Sequence, residues 1–294
     1  MLPKFRYHRA GTMDEALRLI RDNSPDVRVL AGGTDLLISM KQGTCAPKHV
    51  VDLKVIPELR RLETGADGGV TVGACVTVNE LLEFAGLPAG AAALRDAASV
   101  LATYQLRNRA TVGGNICNAS PACDLGPPLL VLGAEVHVVS ASGERRVPLA
   151  EFFTSVKQTC LAPEEVITWL SIPPLGDTVS AFVKRQRIRG HDLATVNVAA
   201  AAGGGRPLRL GLGAVATRPL LVETPGAPGS GLRAPGAAAG KELRGAATAA
   251  ALAAIAPIDD VRAGAEYRRH MISLMVGKAI DLLEARAGGR DGGR

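Results

Sequence analysis

The 294-residue sequence predicts an α+β protein, with small mixed sheets carrying helices on their faces. Three observations point there. In the first half, short apolar runs that suit strands alternate with stretches of helical period. Glycine pairs at 32–33 and 113–114 punctuate that alternation. After "SIPPLGD" (171–177), whose paired prolines interrupt any helix or ladder, three strand-like runs and then two helices follow.

From the beginning, "GTMDEALRLIRDN" opens with a capping box, Thr12 with Glu15, and Ala16, Leu17, Leu19 and Ile20 give it an apolar face. "DVRVLAGGTDLLISMKQG" reads as strand, glycine turn and short helix, and "KHVVDLK" as a second short strand. A second unit starts near residue 56. There "GGVTVGACVTVNELLEF" is β-rich until Thr77 caps a helix with Glu80, and "AAALRDAASVLA" is another helix. "PLLVLGAEVHVVSASGERRVPLAEFF" reads as helix, strand, turn at Ser142-Gly143, strand. Beyond the paired prolines, "SAFVKRQ", "ATVNVAAAA" and "LRLGLGAVA" are expected to form one antiparallel sheet. "TPGAPGSGLRAPGAAAG" is expected to be a mobile loop and residues 288–294 a disordered tail.

Composition narrows the function. At 47% hydrophobic and 21% charged the chain is of ordinary globular type, and 3% aromatics gives little for stacking nucleic-acid bases. The net charge of +6 is scattered apart from Lys184, Arg185, Arg187 and Arg189, a cluster that reads first as a solvated strand or loop edge. Five cysteines without a CxxC pair read as reduced thiols of a cytoplasmic protein. The N-terminus has no signal-peptide core, and the apolar run "ATAAALAAIA" falls far short of the ~20 residues of a spanning helix.

Two loops carry the chemistry. In "AGGTDLL" (31–37), glycines directly after a strand let the backbone approach a ligand, with successive N–H groups turned into a concavity that suits phosphate. "TVGGN" (111–115) repeats the arrangement in the second unit. One such loop is commonplace, but two facing cradles suit a ligand with two phosphates, such as FAD. Other motifs fail. "GLGAVA" (211–216) is followed by "TRP", so no helix can start there, and it reads as a glycine-containing strand. "GAAAGKE" (236–242) is one residue short of a P-loop and has Glu where Ser or Thr should stand. Cys117 and Cys123 lack nearby partners for a metal, no HxxxH or HExxH pair occurs, and there is no GxSxG elbow. His137, alone on an alternating strand, reads as a surface or satisfied residue.

Nearly end to end, the chain resembles the FAD-binding medium subunits of molybdenum hydroxylases, the xanthine dehydrogenase and aerobic carbon monoxide dehydrogenase group. The resemblance lies in "FRYHRAGTMDEAL", "AGGTDLL", "VVDLKVIPEL", "VTVGACVTVNEL", "LRNRATVGGNICNASPACDLGPPLLVLGAEV", "LGLGAVATRPL" and "DVRAGAEYRRHM". It implies a two-lobed FAD-binding domain of the vanillyl-alcohol-oxidase type over 1–175, with lobes of about 1–55 and 56–175. A smaller α+β C-terminal domain would cover 176–287. It further implies that Ala31, Gly32, Gly33, Thr34, Asp35 and Leu36 hold the pyrophosphate by backbone N–H. Ala110, Thr111, Gly113, Gly114 and Asn115 would line the phosphate–ribityl side. Asp124 and Lys184 would lie near the flavin, and Ile167 would pack on the isoalloxazine. Partners would be a large molybdenum-cofactor subunit and a small [2Fe–2S] subunit, with NAD, a quinone or oxygen as acceptor. No side chain is expected to act as acid, base or nucleophile. The four-cysteine insertion of the 4-hydroxybenzoyl-CoA reductase branch is missing, and the stretch from Glu223 to Lys241 is unusually rich in Gly, Ala and Pro. A stand-alone flavin oxidase and a cofactor-free scaffold are the competing readings. The first commonly tethers its flavin through a His or Cys beside the first loop, and "AGGTDLL" has neither.

Overall fold

The computed structural model describes residues 1–188, 192–203, 206–228 and 237–289. The first sheet is small and wholly parallel, built from β1 (Arg6–Arg9), β2 (Val27–Leu30) and β3 (His49–Asp52) in the order β1-β3-β2. β1 escapes a sequence reading because "RYHR" has no apolar residue to alternate, and its pairing with β3 is what makes it a strand. Between β1 and β2, α1 (Met13–Asn23) buries Ala16, Leu17 and Ile20 as its periodicity predicts. Its cap differs from the expected box. Thr12 accepts from Glu15 N–H, but the Glu15 carboxylate reaches back to Gly11 N–H at 2.8 Å. α2 (Leu36–Gln42) follows the first glycine loop and ends at Gly43, whose φ of 76° suits the left-handed C-cap.

The second lobe carries a five-stranded sheet, order β4-β5-β10-β6-β7. Its strands are β4 (Leu62–Thr64), β5 (Val70–Gly73), β6 (Glu135–Ser140), β7 (Gly143–Pro148) and β10 (Val166–Ile172), and β8 (Phe153–Ser155) and β9 (Gln158–Thr159) form a separate hairpin. The β6–β7 turn lies one residue earlier than expected, at 141–142, because Ser140 pairs with Gly143. Helices α3 (Val78–Glu83), α4 (Ala92–Val100), α5 (Tyr104–Arg107), α6 (Val112–Cys117), α7 (Gly126–Val131) and α8 (Leu149–Phe152) complete the lobe. Thr77 and Glu80 make the predicted capping box on α3. His137 is satisfied: its Nε2 lies 2.9 Å from Ser171 Oγ and its ring stacks on Trp169.

The C-terminal sheet is antiparallel, β11 (Val179–Arg185), β12 (Val196–Gly203), β13 (Arg206–Gly213) and β14 (Leu220–Pro228) in sequence order. The alanine run of β12 has a period-two meaning. Ala199 and Ala201 belong to the core shared with the second lobe, whereas Val198, Ala200 and Ala202 face the core under α9 (Ala237–Ala254) and α10 (Ala265–Ala287). Large side chains would not fit a strand covered on both faces at this distance. α10 closes the domain with Ile272, Met275, Val276, Ile280 and Leu283, each large side chain contributing about 1.5–3 kcal/mol on burial. "GLG" is indeed a strand, and a Cβ at Gly211 would collide with the Pro127 carbonyl, so the glycine admits α7.

Two expectations about mobile segments meet only part of the described chain. β14 extends to Pro228 and α9 begins at Ala237, so 224–228 of the expected loop are strand and 237–240 are helix, and 229–236 lie outside the described residues. Gly288 and Gly289 cap α10 through the Glu284 and Arg286 carbonyls, and the rest of the expected tail lies outside them too.

Candidate functional site

The site begins where β2 ends. Gly33 has φ 77°, and a Cβ at Gly32 would collide with the carbonyl oxygen of Arg109 and reach within 3.2 Å of Ala110 Cα. Backbone therefore meets backbone: the two glycine loops, nearly eighty residues apart in sequence, touch across the lobes. Among the described residues, the N–H groups of Gly32, Gly33, Thr34, Asp35 and Leu36 donate to no protein acceptor. Five consecutive main-chain donors without a protein acceptor could hold an anion rich in oxygens.

The second loop is built differently. Val112 N–H donates to Val76, Gly113 N–H to Ala74 at 3.1 Å, and Gly114 N–H to the Thr111 hydroxyl at 3.0 Å. Its donors are thus committed within the lobe. A Cβ at Gly113 would lie 2.7 Å from Ala74 Cα, so this glycine serves the packing of α6 on the lobe. Gly114 is half-buried, and a Cβ there would meet only Thr111 Oγ1, at 2.8 Å. A side-chain oxygen of the loop is free instead: Asn115 Oδ1 is buried and accepts no hydrogen bond among the described residues. An orphan of this kind costs free energy unless something donates to it.

Two further residues join the loops without any signal in the sequence spacing. Asn118, at the C-cap of α6, donates to Asp35 Oδ1 at 2.7 Å and accepts from Lys157 Nζ at 2.7 Å. Asp35's carboxylate is thereby turned away to its neighbours, and Lys157 stands 3.9 Å from it. Beside the second loop, Lys54, Arg60, Asn79, Tyr104, Arg109 and Thr111 border a cavity of about 300 Å³.

The stretch after α6 leads to a buried ion pair. Asp124 Oδ2 lies 2.7 Å from Lys184 Nζ, with side chains only 7% and 4% exposed, and Asn197 donates to Asp124 Oδ1 at 3.1 Å. Burial pushes the Asp124 carboxyl up, against the opposing pull of Lys184 and of the hydrogen bonds from Lys184 and Asn197. Lys184 therefore departs from the solvated edge expected of its cluster, whereas Arg187 pairs with Asp192 at the surface and Arg189 lies outside the described residues. Ile167 is 3% exposed within the core of the second lobe, its side chain already taken up by packing. Cys117 is exposed; Cys123 is buried, which pushes its thiol up to about 12 and keeps it protonated. Among the described residues no three His, Cys, Asp or Glu side chains are grouped to hold a metal, and no helix is long and apolar enough to cross a membrane.

This arrangement fits FAD: a row of free N–H groups for phosphate, an adjoining open glycine face with an orphaned amide oxygen, and a buried charge pair further along the same stretch. Comparison with known proteins agrees. Residues 3–175 match the family described as the FAD binding domain in molybdopterin dehydrogenase, and 180–283 match the carbon monoxide dehydrogenase flavoprotein C-terminal domain. The xanthine dehydrogenase FAD-binding subunit of Escherichia coli O157:H7 is 33% identical over 290 residues, 97% of each chain. The carbon monoxide dehydrogenase medium chain of Hydrogenophaga pseudoflava is 34% identical, covering 97% of this chain and 98% of that one. A structure of carbon monoxide dehydrogenase from Hydrogenophaga pseudoflava superposes with a TM-score of 0.87 at 30% identity, over 97% of this chain and 99% of that chain. The chain therefore belongs to the family of FAD-binding subunits of molybdopterin-dependent dehydrogenases.

Proposed function

We propose that this chain is the electron-transfer flavoprotein of a heteromeric molybdenum hydroxylase. Electrons would arrive from the [2Fe–2S] clusters of a small partner subunit, after substrate oxidation at the molybdenum cofactor of a large one. They would leave to an external acceptor such as NAD, a quinone or oxygen, in the cytoplasm. The observation that carries the reading is the row of unpaired N–H groups from Gly32 to Leu36, set against Ala110 of the second loop.

In this reading the division of labour follows the geometry. Backbone donors of 32–36 hold the pyrophosphate, while Ala31, directly after β2, leads the chain into them. Thr111, Gly114 and Asn115 line the adjoining side, with Asn115 Oδ1 accepting from the cofactor. Gly113 supports them from behind. The adenosine end has room in the cavity beside Arg109 and Thr111. Asp124 and Lys184 set the charge near the flavin, and Ile167 backs that wall from the core. FAD supplies the redox chemistry, and the protein supplies placement and electrostatics. We place the domain division near residue 175, where the second sheet ends and the third begins.

The test is direct. The purified chain, stripped of flavin and titrated with FAD, should take up one FAD and acquire a flavin absorption band. Co-expressed with the neighbouring subunits, it should co-purify with molybdenum and iron. A chain that stays colourless with excess FAD, or that oxidises a small organic substrate unaided, would overturn the proposal.

A further inference from the structure

Arg268, on α10, is the largest fully buried side chain among the described residues, at 1% exposure. Its guanidinium donates to the Thr195 carbonyl at 2.8 Å and the Ala214 carbonyl at 2.6 Å, while Asp260 holds it by an ion pair of 2.6 Å. A buried pair of this kind adds little net stability, because an apolar residue of similar size often does as well. What the arrangement does accomplish is to fix two carbonyls at the ends of neighbouring strands, before β12 and after β13.

Ala214, and Ala194 beside Thr195, touch the stretch that leads to Asp124. Ala214 N–H donates to the Pro121 carbonyl at 2.7 Å, and Ala122, Ala194 and Ala214 pack as a small cluster of their own. Pro121 and Ala122 lie within three residues of Asp124, whose carboxylate pairs with Lys184. Arg268 thus reaches the Asp124 stretch through one intervening residue.

An independent observation marks the same place. Among the described residues, the non-glycine positions with left-handed φ are Ala102 (48°), Ala119 (45°), Lys157 (58°) and Ala214 (63°). Ala119 belongs to the stretch; Lys157 N–H donates to the Ala119 carbonyl at 3.0 Å, and Ala214 to Pro121. Ala102 follows Val100, whose carbonyl accepts from Lys184 Nζ. Side chains in this conformation are strained and persist only where the surroundings over-determine them, a condition that recurs where backbone placement serves a ligand. Three of the four lie on or bond to the 119–124 stretch, and the fourth stands two residues after the carbonyl that Lys184 reaches.

We infer that Arg268 is a positioning residue for the FAD site: anchored on Asp260, it holds Ala214 in its left-handed conformation and so sets the 119–124 stretch against the cofactor. The inference rests on the flavin reading above. It separates two roles that burial alone would merge, since a residue needed only for folding would alter stability and leave the bound flavin unchanged.

The experiment compares the full-length chain with R268M, R268K and A214G, reading thermal stability, FAD affinity by quenching of flavin fluorescence, and the midpoint potential of bound flavin. R268M should unfold cooperatively yet bind FAD roughly tenfold or more weakly, the scale on which outer partners of a site act, with a shifted potential. R268K should not rescue it, because one ammonium cannot reproduce a fork that spans two carbonyls and a carboxylate. A214G, free of strain at this φ, should keep or gain stability while binding FAD more weakly. An R268M chain with wild-type FAD affinity and potential overturns the inference alone. If R268M does not fold, A214G decides on the same criterion. A wild-type chain that binds no FAD overturns the inference together with the function reading.

Discussion

Gly113 and Gly114 are adjacent in sequence and opposite in purpose. Gly113 admits Ala74 into contact with α6, so Gly113→Ala should cost about 1–3 kcal/mol of stability by overpacking, measured by urea unfolding. Gly114→Val should leave the fold in place and abolish FAD retention, read as flavin content per chain, because only the Thr111 hydroxyl limits that face from within. At the ion pair, Lys184→Met leaves Asp124 buried without its cation and should cost about 3–5 kcal/mol, with Asp124→Leu in the same chain recovering most of it. The two glycine loops that the structure brings together were legible as short contiguous motifs, whereas Asp124 was singled out only through the family resemblance. Asn118, Lys157 and Asn197 were not legible, since Asn118 meets Asp35 across 83 positions and Asn197 meets Asp124 across 73. No spacing rule reaches that far. The cluster around Lys184 illustrates the converse: of the charges described there, the Lys184 side chain is buried against Asp124, while Arg185 and Arg187 are exposed.

At the scale of elements, periodicity was a good guide to α1, whereas capping held in full at α3 and only by half at α1, where Glu15 reaches Gly11. Thr77 with Glu80 fixed the start of α3, and Thr77→Ala should cost about 1 kcal/mol in denaturant unfolding as the cap is lost. β1 and β14 were missed for a common reason. "RYHR" has no apolar alternation and "LLVETPGAP" ends in turn-forming residues, yet each is made a strand by pairing, β1 with the distant β3 and β14 with the preceding β13. The 260–263 turn shows how charge holds an element. Burial works to raise the Asp260 carboxyl, but hydrogen bonds from Arg262, with the charges of Arg262 and Arg268, hold it well below 3.8. A carboxyl depressed in the folded state stabilises it above the unfolded pKa and loses that contribution as pH falls. Stability should therefore decline as pH drops through 3.8 and below, and Asp260→Asn should flatten that acid limb in thermal melts across pH.

The described molecule is three main sheets and a small β8–β9 hairpin, with the main sheets joined at two seams. Between the lobes, backbone contact at Gly32 and the Asp35–Asn118–Lys157 chain bring the cradle to its opposite wall. Between the second lobe and the C-terminal domain, Asp96 accepts from the Phe182 N–H and from both terminal nitrogens of Arg286, while Ser180 Oγ bonds Gly90 and Ala93. Arg286→Ala should loosen this seam, so that calorimetry resolves the C-terminal domain as a separate, earlier transition. The α+β class was legible from local patterns, but the seams were not, because they are made of pairs that only the finished topology brings together.

Arg286 and Asp96 stand 190 positions apart. On a ribosome, both lobes and the β11–β14 sheet emerge before the residue that fastens them, and domains tend to fold as they emerge. A nascent chain halted shortly before residue 286 would thus display its sheets without their fastener. The joint between the flavin lobe and the C-terminal domain receives Arg286 only after the parts it joins have been made, so this contact follows the folding of those parts.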